Sequence, residues 1–289
     1  MITARAMLLL AGALASVAPM AAQSASMTLA PPVVAGSAFA IPTSGSGRAD
    51  LFIVGPGQVL RREVELGQTV SVAAGTLNNA GIYSVILTGS TPESGLLVVT
   101  PAPAPKSVAF LAEPSRLPVG LPGAVSGVVY IFDAHRNLIV APVPVSFTLS
   151  GSSGPPVTRA TTAHDGVAWV EMDSASHAGK AEFLARAGDA SNKRVIQEVP
   201  GDPCNLSVTA TPKGNMLEVA TAPVRDCSGN PVSDGTIVTF TESYNGMQTT
   251  ADVPLKKDVA SIAMPAHPGA NISVASGVVA GNQIHWSGP

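Results

Sequence analysis

The chain has 289 residues, a formal net charge of −3 and no basic cluster, which argues against nucleic acid as a partner, because phosphate contacts need concentrated Lys and Arg. Only 12% of residues are charged, while Gly and Pro number 28 and 25. Frequent turns between short apolar strands produce that balance, so the composition predicts an all-β protein long enough for two or three domains.

The N-terminal segment does not read as part of the fold. Arg5 supplies a modest positive charge, Met7 to Val17 is almost wholly apolar, and small residues follow at Ala21, Ala22, Ser24, Ala25 and Ser26. The apolar run is too short to span a bilayer, which takes about 20 residues. Residues 1–25 are therefore read as a cleaved secretory signal. They contain no Cys that could become a lipid anchor, and no later segment approaches a membrane span. The expected mature chain is soluble in an exported compartment, or held to a surface by other proteins, without membrane insertion.

Residues 27–103 offer strand-like runs at Leu51–Val54, Leu60–Leu66, Ile82–Leu87 and Leu96–Val99. In the second of these Leu60, Val64 and Leu66 share one face, with Arg61, Glu63 and Glu65 on the other. Asn79-Ala-Gly-Ile-Tyr83 resembles a tyrosine corner, in which a Tyr hydroxyl bonds back to the backbone of an immunoglobulin-like sandwich. These features predict a smaller, diverged sandwich. Thr100-Pro-Ala-Pro-Ala-Pro-Lys106 follows, and alternating Pro favours an extended, semi-rigid linker.

Beyond the linker the chain writes one pattern twice. Asp133-Ala-His-Arg-Asn137 followed by Val143–Thr148 returns as Asp226-Cys-Ser-Gly-Asn230 followed by Thr236–Thr241. Val129, Ile131, Val145 and Phe147 align with Ala222, Val224, Val238 and Phe240, so one face of each strand is expected to be buried against a second sheet. The repeat continues through Thr161-Thr-Ala163 and Thr249-Thr-Ala251, then Gly166–Glu171 and Asp258–Ile262. It divides the chain at Pro200-Gly-Asp-Pro203 into modules 104–199 and 200–289. The order of these turns and strands resembles the bacterial immunoglobulin-like repeats of the invasin and intimin type. The third module carries the fuller form, while the second departs at Arg136 and Leu138, where Gly and Pro are usual. The resemblance covers about residues 104–289. It implies tandem immunoglobulin-like β-sandwich domains joined by short Pro-rich linkers, acting as rods or spacers.

The two cysteines, Cys204 and Cys227, both fall in the last module. If Asn205–Thr211 and Leu217–Arg225 are antiparallel arms of a hairpin with its tip at Asn215-Met216, the cysteines oppose each other at its open end. A disulfide there would stabilise the fold by about 3 kcal/mol. A redox or metal pair would need a CxxC or a third ligand, and neither is present.

No catalytic motif stands out: there is no GxSxG, P-loop, HExxH or dinucleotide glycine fingerprint. The expected chain is not an enzyme and needs no cofactor. In the second module the turns carrying Asp133 and His135, His164 and Asp165, and Asp189 gather at one end. Asp133, Asp165 and Asp189 are candidate Ca²⁺ ligands, set against the plainer reading that Asp and Asn suit turns. Trp169 shares a face with Val167 and is expected in the core, while Trp286 is undecided. Tyr244, Asn245, Met247 and His267 fall in loops at the far tip of the third module and are candidate partner contacts. Together these features predict an exported repeat protein, secreted, surface-held or periplasmic, that spaces or presents a binding surface for protein or glycan at the cell envelope. The alternatives are a periplasmic assembly subunit of an envelope complex and a secreted carbohydrate-binding module.

Overall fold

A computed structural model describes residues 24–89, 91–265 and 267–288. The expected secretory segment lies outside these except for Ser24 and Ala25, and Ala25 is buried. All regular secondary structure among the described residues is β, and none of their helices is long and apolar enough to cross a membrane. The chain divides into two compact units, the first ending at Thr100 and the second starting at Pro101.

The first unit contains β1 (Ser26–Met27), β2 (Val33–Val34), β3 (Phe39–Ser44), β4 (Arg48–Gly55), β5 (Gln58–Glu65), β6 (Thr69–Val72), β7 (Gly81–Leu87) and β8 (Glu93–Thr100). They form a five-stranded sheet in the order β2-β8-β7-β4-β5, facing a three-stranded sheet β1-β3-β6. Alternation sends Leu51, Ile53, Val85, Leu87 and Leu97 from one sheet, and Ile41, Val70 and Val72 from the other, into a shared core. Tyr83 is fully buried, and its hydroxyl donates to the carbonyl of Asn79 at 2.8 Å, as the tyrosine-corner pattern predicts. Its ring lies over Gly55, where a Cβ would stand 2.1 Å from Cδ1.

The second unit holds two sandwiches. The first comprises β9 (Ser107–Glu113), β10 (Arg116–Pro118), β11 (Val125–Phe132), β12 (Val143–Ser150), β13 (Val157–Ala163), β14 (Val167–Met172), β15 (Gly179–Ala187) and β16 (Ala190–Val199). Its sheets run β10-β16-β15-β12-β13 and β14-β11-β9. Phe110, Phe147 and Phe183 meet at its centre with ring centroids 5.0 to 6.1 Å apart.

The next sandwich comprises β17 (Pro203–Asn205), β18 (Val208–Lys213), β19 (Met216–Thr221), β20 (Arg225–Asp226), β21 (Ile237–Tyr244), β22 (Met247–Pro254), β23 (Ser261–Pro265), β24 (Ala270–Ser276) and β25 (Val279–Trp286). A sheet β22-β21-β24-β25 faces β18-β19-β23, with β17 and β20 paired beside them. Val219, Val224, Val238 and Phe240 are fully buried, but Ala222 is exposed, contrary to the aligned pattern. Pro223 has no N–H to continue the ladder, so β19 ends at Thr221 and the chain re-enters the core only at Val224. The β18–β19 hairpin closes at Lys213 opposite Met216, so its tip is Gly214-Asn215, a residue earlier than the midpoint of the cysteines. Cys204 and Cys227 are bonded, with Cα atoms 4.8 Å apart.

Two stability outcomes follow from these packings. Tyr83→Phe strands the Asn79 carbonyl, and chemical denaturation of the first unit should show a loss of about 1 kcal/mol. Replacing both cysteines with alanine should lower the unfolding free energy of the third module by about 3 kcal/mol, read by denaturant titration of the second unit against the oxidised protein.

Candidate functional site

The repeated Asp-x-x-x-Asn turn is the most polar buried feature of the second unit. Asp133 and Asp226 are 1% and 5% exposed, and a buried carboxylate is tolerable only when donors surround it. Asp133 Oδ1 accepts from the N–H groups of His135 and Asn137, each at 2.8 Å. Its Oδ2 accepts from Asn137 Nδ2 at 2.9 Å and from the Ala102 N–H at 3.0 Å. Asp226 repeats the arrangement with Ser228, Asn230 and the Gly201 N–H at 2.8 to 2.9 Å, and with Asn230 Nδ2. Each aspartate thus holds its own turn and the linker entering its module. Arg136 takes φ 66°, the left-handed position that Gly229 fills at 83° in the second copy.

The second turn also reaches back into the preceding sandwich. Asn230 Oδ1 accepts from the Ala178 N–H at 3.0 Å, and its Nδ2 donates to the Ser176 carbonyl at 2.9 Å. That loop is held from beneath by the fully buried Glu198, whose Oε1 accepts from the Ala175 N–H at 2.6 Å.

The structure does not gather the three calcium candidates into a coordination shell. Asp133 is committed to N–H donors, which a cation would have to displace. Asp165 is exposed on a left-handed turn with φ 50° between β13 and β14, and Asp189 is exposed at the β15–β16 turn. Among the described residues no group of three or more His, Cys, Asp or Glu is placed to share a metal ion.

The four contact candidates do come together, at the end of the third sandwich opposite the Asp226 turn. Asn245-Gly246 form the two-residue turn of the β21–β22 hairpin, both with positive φ, at 50° and 77°, as a primed turn requires. Tyr244 and Met247 flank that turn, and Met247 is 70% exposed. The His267 ring stacks on Tyr244 at 4.8 Å and 9°, with Nδ1 2.8 Å from Oε1 of buried Glu242. Glu242 was not singled out from the sequence, although it continues the inward row of Val238 and Phe240. A depression of about 480 Å³ beside the hairpin is lined by Tyr244, Asn245, Met247, Gly269 and Asn271.

Trp169 corrects an expectation. It is 66% exposed, while Ala168, Val170 and Met172 turn inward. Strand register places it in a row across the outer face of the three-stranded sheet, Leu111–Val128–Trp169, beside a second row, Ala109–Tyr130–Val167. Leu111 is 58% and Tyr130 37% exposed. Glu113 and Glu171 border this patch, one on each side of Ser126. Trp286 is half-buried and packs against the third core.

These features define an immunoglobulin-like repeat protein. No protein-family model matches the chain, and no curated protein matches it in sequence. Its similarity is to solved structures. The Escherichia coli adhesin FdeC is 15% identical over 91% of this chain and 97% of its own, with a TM-score of 0.57. Yersinia pseudotuberculosis InvD is 11% identical over 90% and 96%, with a TM-score of 0.54. Invasin, a bacterial integrin-binding protein, is 12% identical over 89% of this chain, which spans 57% of the invasin structure, with a TM-score of 0.50. What the chain shares with these structures, two of them described as an adhesin and as an integrin-binding protein, is the fold.

The turn carboxylates give the second unit a pH dependence. Burial opposes ionisation of Asp226, but the N–H donations from Gly201, Asn230 and Ser228 outweigh it and hold the carboxyl below its ordinary value. Asp133 is lowered in the same way, burial again opposed by Asn137, Ala102 and His135. A carboxyl whose folded pKa is depressed stabilises the fold above its unfolded pKa and loses that contribution as pH falls through the folded value. The melting temperature of the second unit should therefore fall progressively below about pH 4. Asp226→Asn should cost roughly 2 kcal/mol at neutral pH and flatten part of that dependence.

Proposed function

We propose that this chain is an exported, non-catalytic binding protein that presents contact surfaces at the bacterial cell envelope, in the manner of an adhesin. The observation that carries the reading is the outer face of the β14-β11-β9 sheet. An exposed Trp and Tyr stand in adjoining rows with Leu111 beside them, and Trp and Tyr are side chains that dominate binding when a partner excludes water from them. Strand pairing already fixes their backbone, so little ordering remains to oppose association. The Tyr244–His267 tip supplies a second contact region on an equally well-pinned hairpin. Modules spanning 27–103, 104–199 and 200–289, behind a secretory signal at 1–25, would carry these surfaces outside the cytoplasm.

The partner class favoured is a protein of the envelope or of a host surface. Aliphatic Leu111, Val128 and Val167 surround Trp169 and extend the patch beyond what a sugar ring covers. A glycan is the second reading, favoured by the indole standing beside the carboxylate of Glu171. The test is quantitative binding of the mature protein and of Trp169→Ala to surface-protein and glycan panels. Trp169→Ala should weaken recognition of the authentic partner at least tenfold, about 1.4 kcal/mol, with its unfolding transition unchanged. Equal binding by both proteins would remove this face from the function.

A further inference from the structure

The outer edge of a sheet presents unpaired N–H and C=O groups that can template another strand, so proteins close or blunt such edges. Most long edges here are managed. β5 carries Arg61, Arg62, Glu63 and Glu65, with ion pairs Arg48–Glu63 and Arg61–Asp50. β8 and β16 are covered by the short parallel strands β2 and β10. β13 packs against β14 across the side of its sandwich. The Asn282 side chain on β25 bonds both the N–H and the C=O of Val208.

β22 has none of these devices. It lies at the end of its sheet and pairs with β21 alone. No residue of Met247–Pro254 is buried, and its one charged side chain is Asp252. Met247, Thr249, Ala251 and Val253 share the inward face of the sheet, yet all remain exposed or half-buried. Val253 and Ile262 sit half-buried at the margin of the core.

We infer that β22 is the docking strand for a second copy of this chain, pairing antiparallel with its own counterpart about a twofold axis through Thr250. The strand is chemically self-complementary in that register. With Thr250 opposite Thr250, Met247 meets Val253, Thr249 meets Ala251, and Gln248 meets Asp252, each contact occurring twice. Directly opposed residues share a face, so the half-covered inward rows extend each other. On the outer face the Gln248 amide donates to the Asp252 carboxylate. A shift of two residues would leave Met247 or Val253 without a partner. The Asn245-Gly246 turn ends the pairing at one side, and Pro254, lacking an N–H, ends it at the other. An isologous interface of this kind needs one patch that complements itself, and joining the two sheets gives a continuous sheet of eight strands. The inference does not depend on what the Trp169 face binds. It would make that face bivalent, with the gain in avidity that follows.

Sedimentation equilibrium of the mature chain from micromolar to millimolar concentration tests it. The expected result is a reversible dimer that Thr250→Lys, with two ammonium groups facing each other on the axis, converts to monomer without loss of β circular dichroism. Gln248→Asp opposes two carboxylates at both ends and should weaken the dimer at least tenfold. Combining Gln248→Asp with Asp252→Lys should restore it, a rescue that keeps the test decisive if Thr250→Lys disturbs folding. A wild-type chain that stays monomeric throughout would overturn the inference, even if it captured some other extended peptide. A dimer indifferent to both Thr250→Lys and Gln248→Asp would overturn it as well.

Discussion

The second unit depends on two buried carboxylates, each surrounded by N–H groups. Ionised aspartate in an apolar interior is costly unless its oxygens are satisfied. Asp133 and Asp226 are satisfied by donors that are not all local. Two backbone amides and an Asn side chain come from the turn itself, and the last N–H comes from the linker ahead of the module. The turn therefore cannot be completed until the linker is in place, and the linker cannot swing away without uncovering a charge. Asn230 extends the same logic across the joint, because its amide is shared between its own aspartate and the Ser176–Ala178 loop of the preceding sandwich.

Much of this was legible in the sequence because it is local. Period-two alternation picked out the buried rows of β12 and β21, the repeated Asp and Asn marked equivalent turns, and Tyr83 announced its own hydrogen bond. Trp169 was misread for a physical reason. Val167, Ala168, Trp169 and Val170 are all apolar, so alternation along β14 cannot say which face is inward. The choice is made by the neighbours: small Ala168 fits beneath the sheet, while Trp169 falls in line with Val128 and Leu111 on strands far away in sequence. Ala222 failed differently, since the alignment carried a strand through Pro223, where the ladder has to break. The amide that Ala102 gives to Asp133 could not be read either, because nothing in a Pro-rich linker says which of its N–H groups will be used.

The chemistry follows the same division. Of the three aspartates considered for a metal, Asp133 is consumed by the architecture, while Asp165 and Asp189 stay exposed on separate turns. The outer face of the β14-β11-β9 sheet presents aromatic and aliphatic side chains. It is displayed on strands already fixed by pairing, while the acidic groups near it, Glu113 and Glu171, bias which partners can approach.

The disulfide has a further consequence when the chain is considered as a tether. Cys204 lies just inside the entry to the third sandwich, and Cys227 lies 23 residues later, beyond both arms of the β18–β19 hairpin. A pulling force that arrives through Pro200 and Pro203 crosses the sulfur–sulfur bond and continues from Cys227 toward β21. The hairpin is bypassed. It hangs on a side loop that carries no load, so it stays outside the extensible length of the chain even after the rest of the module has been drawn out.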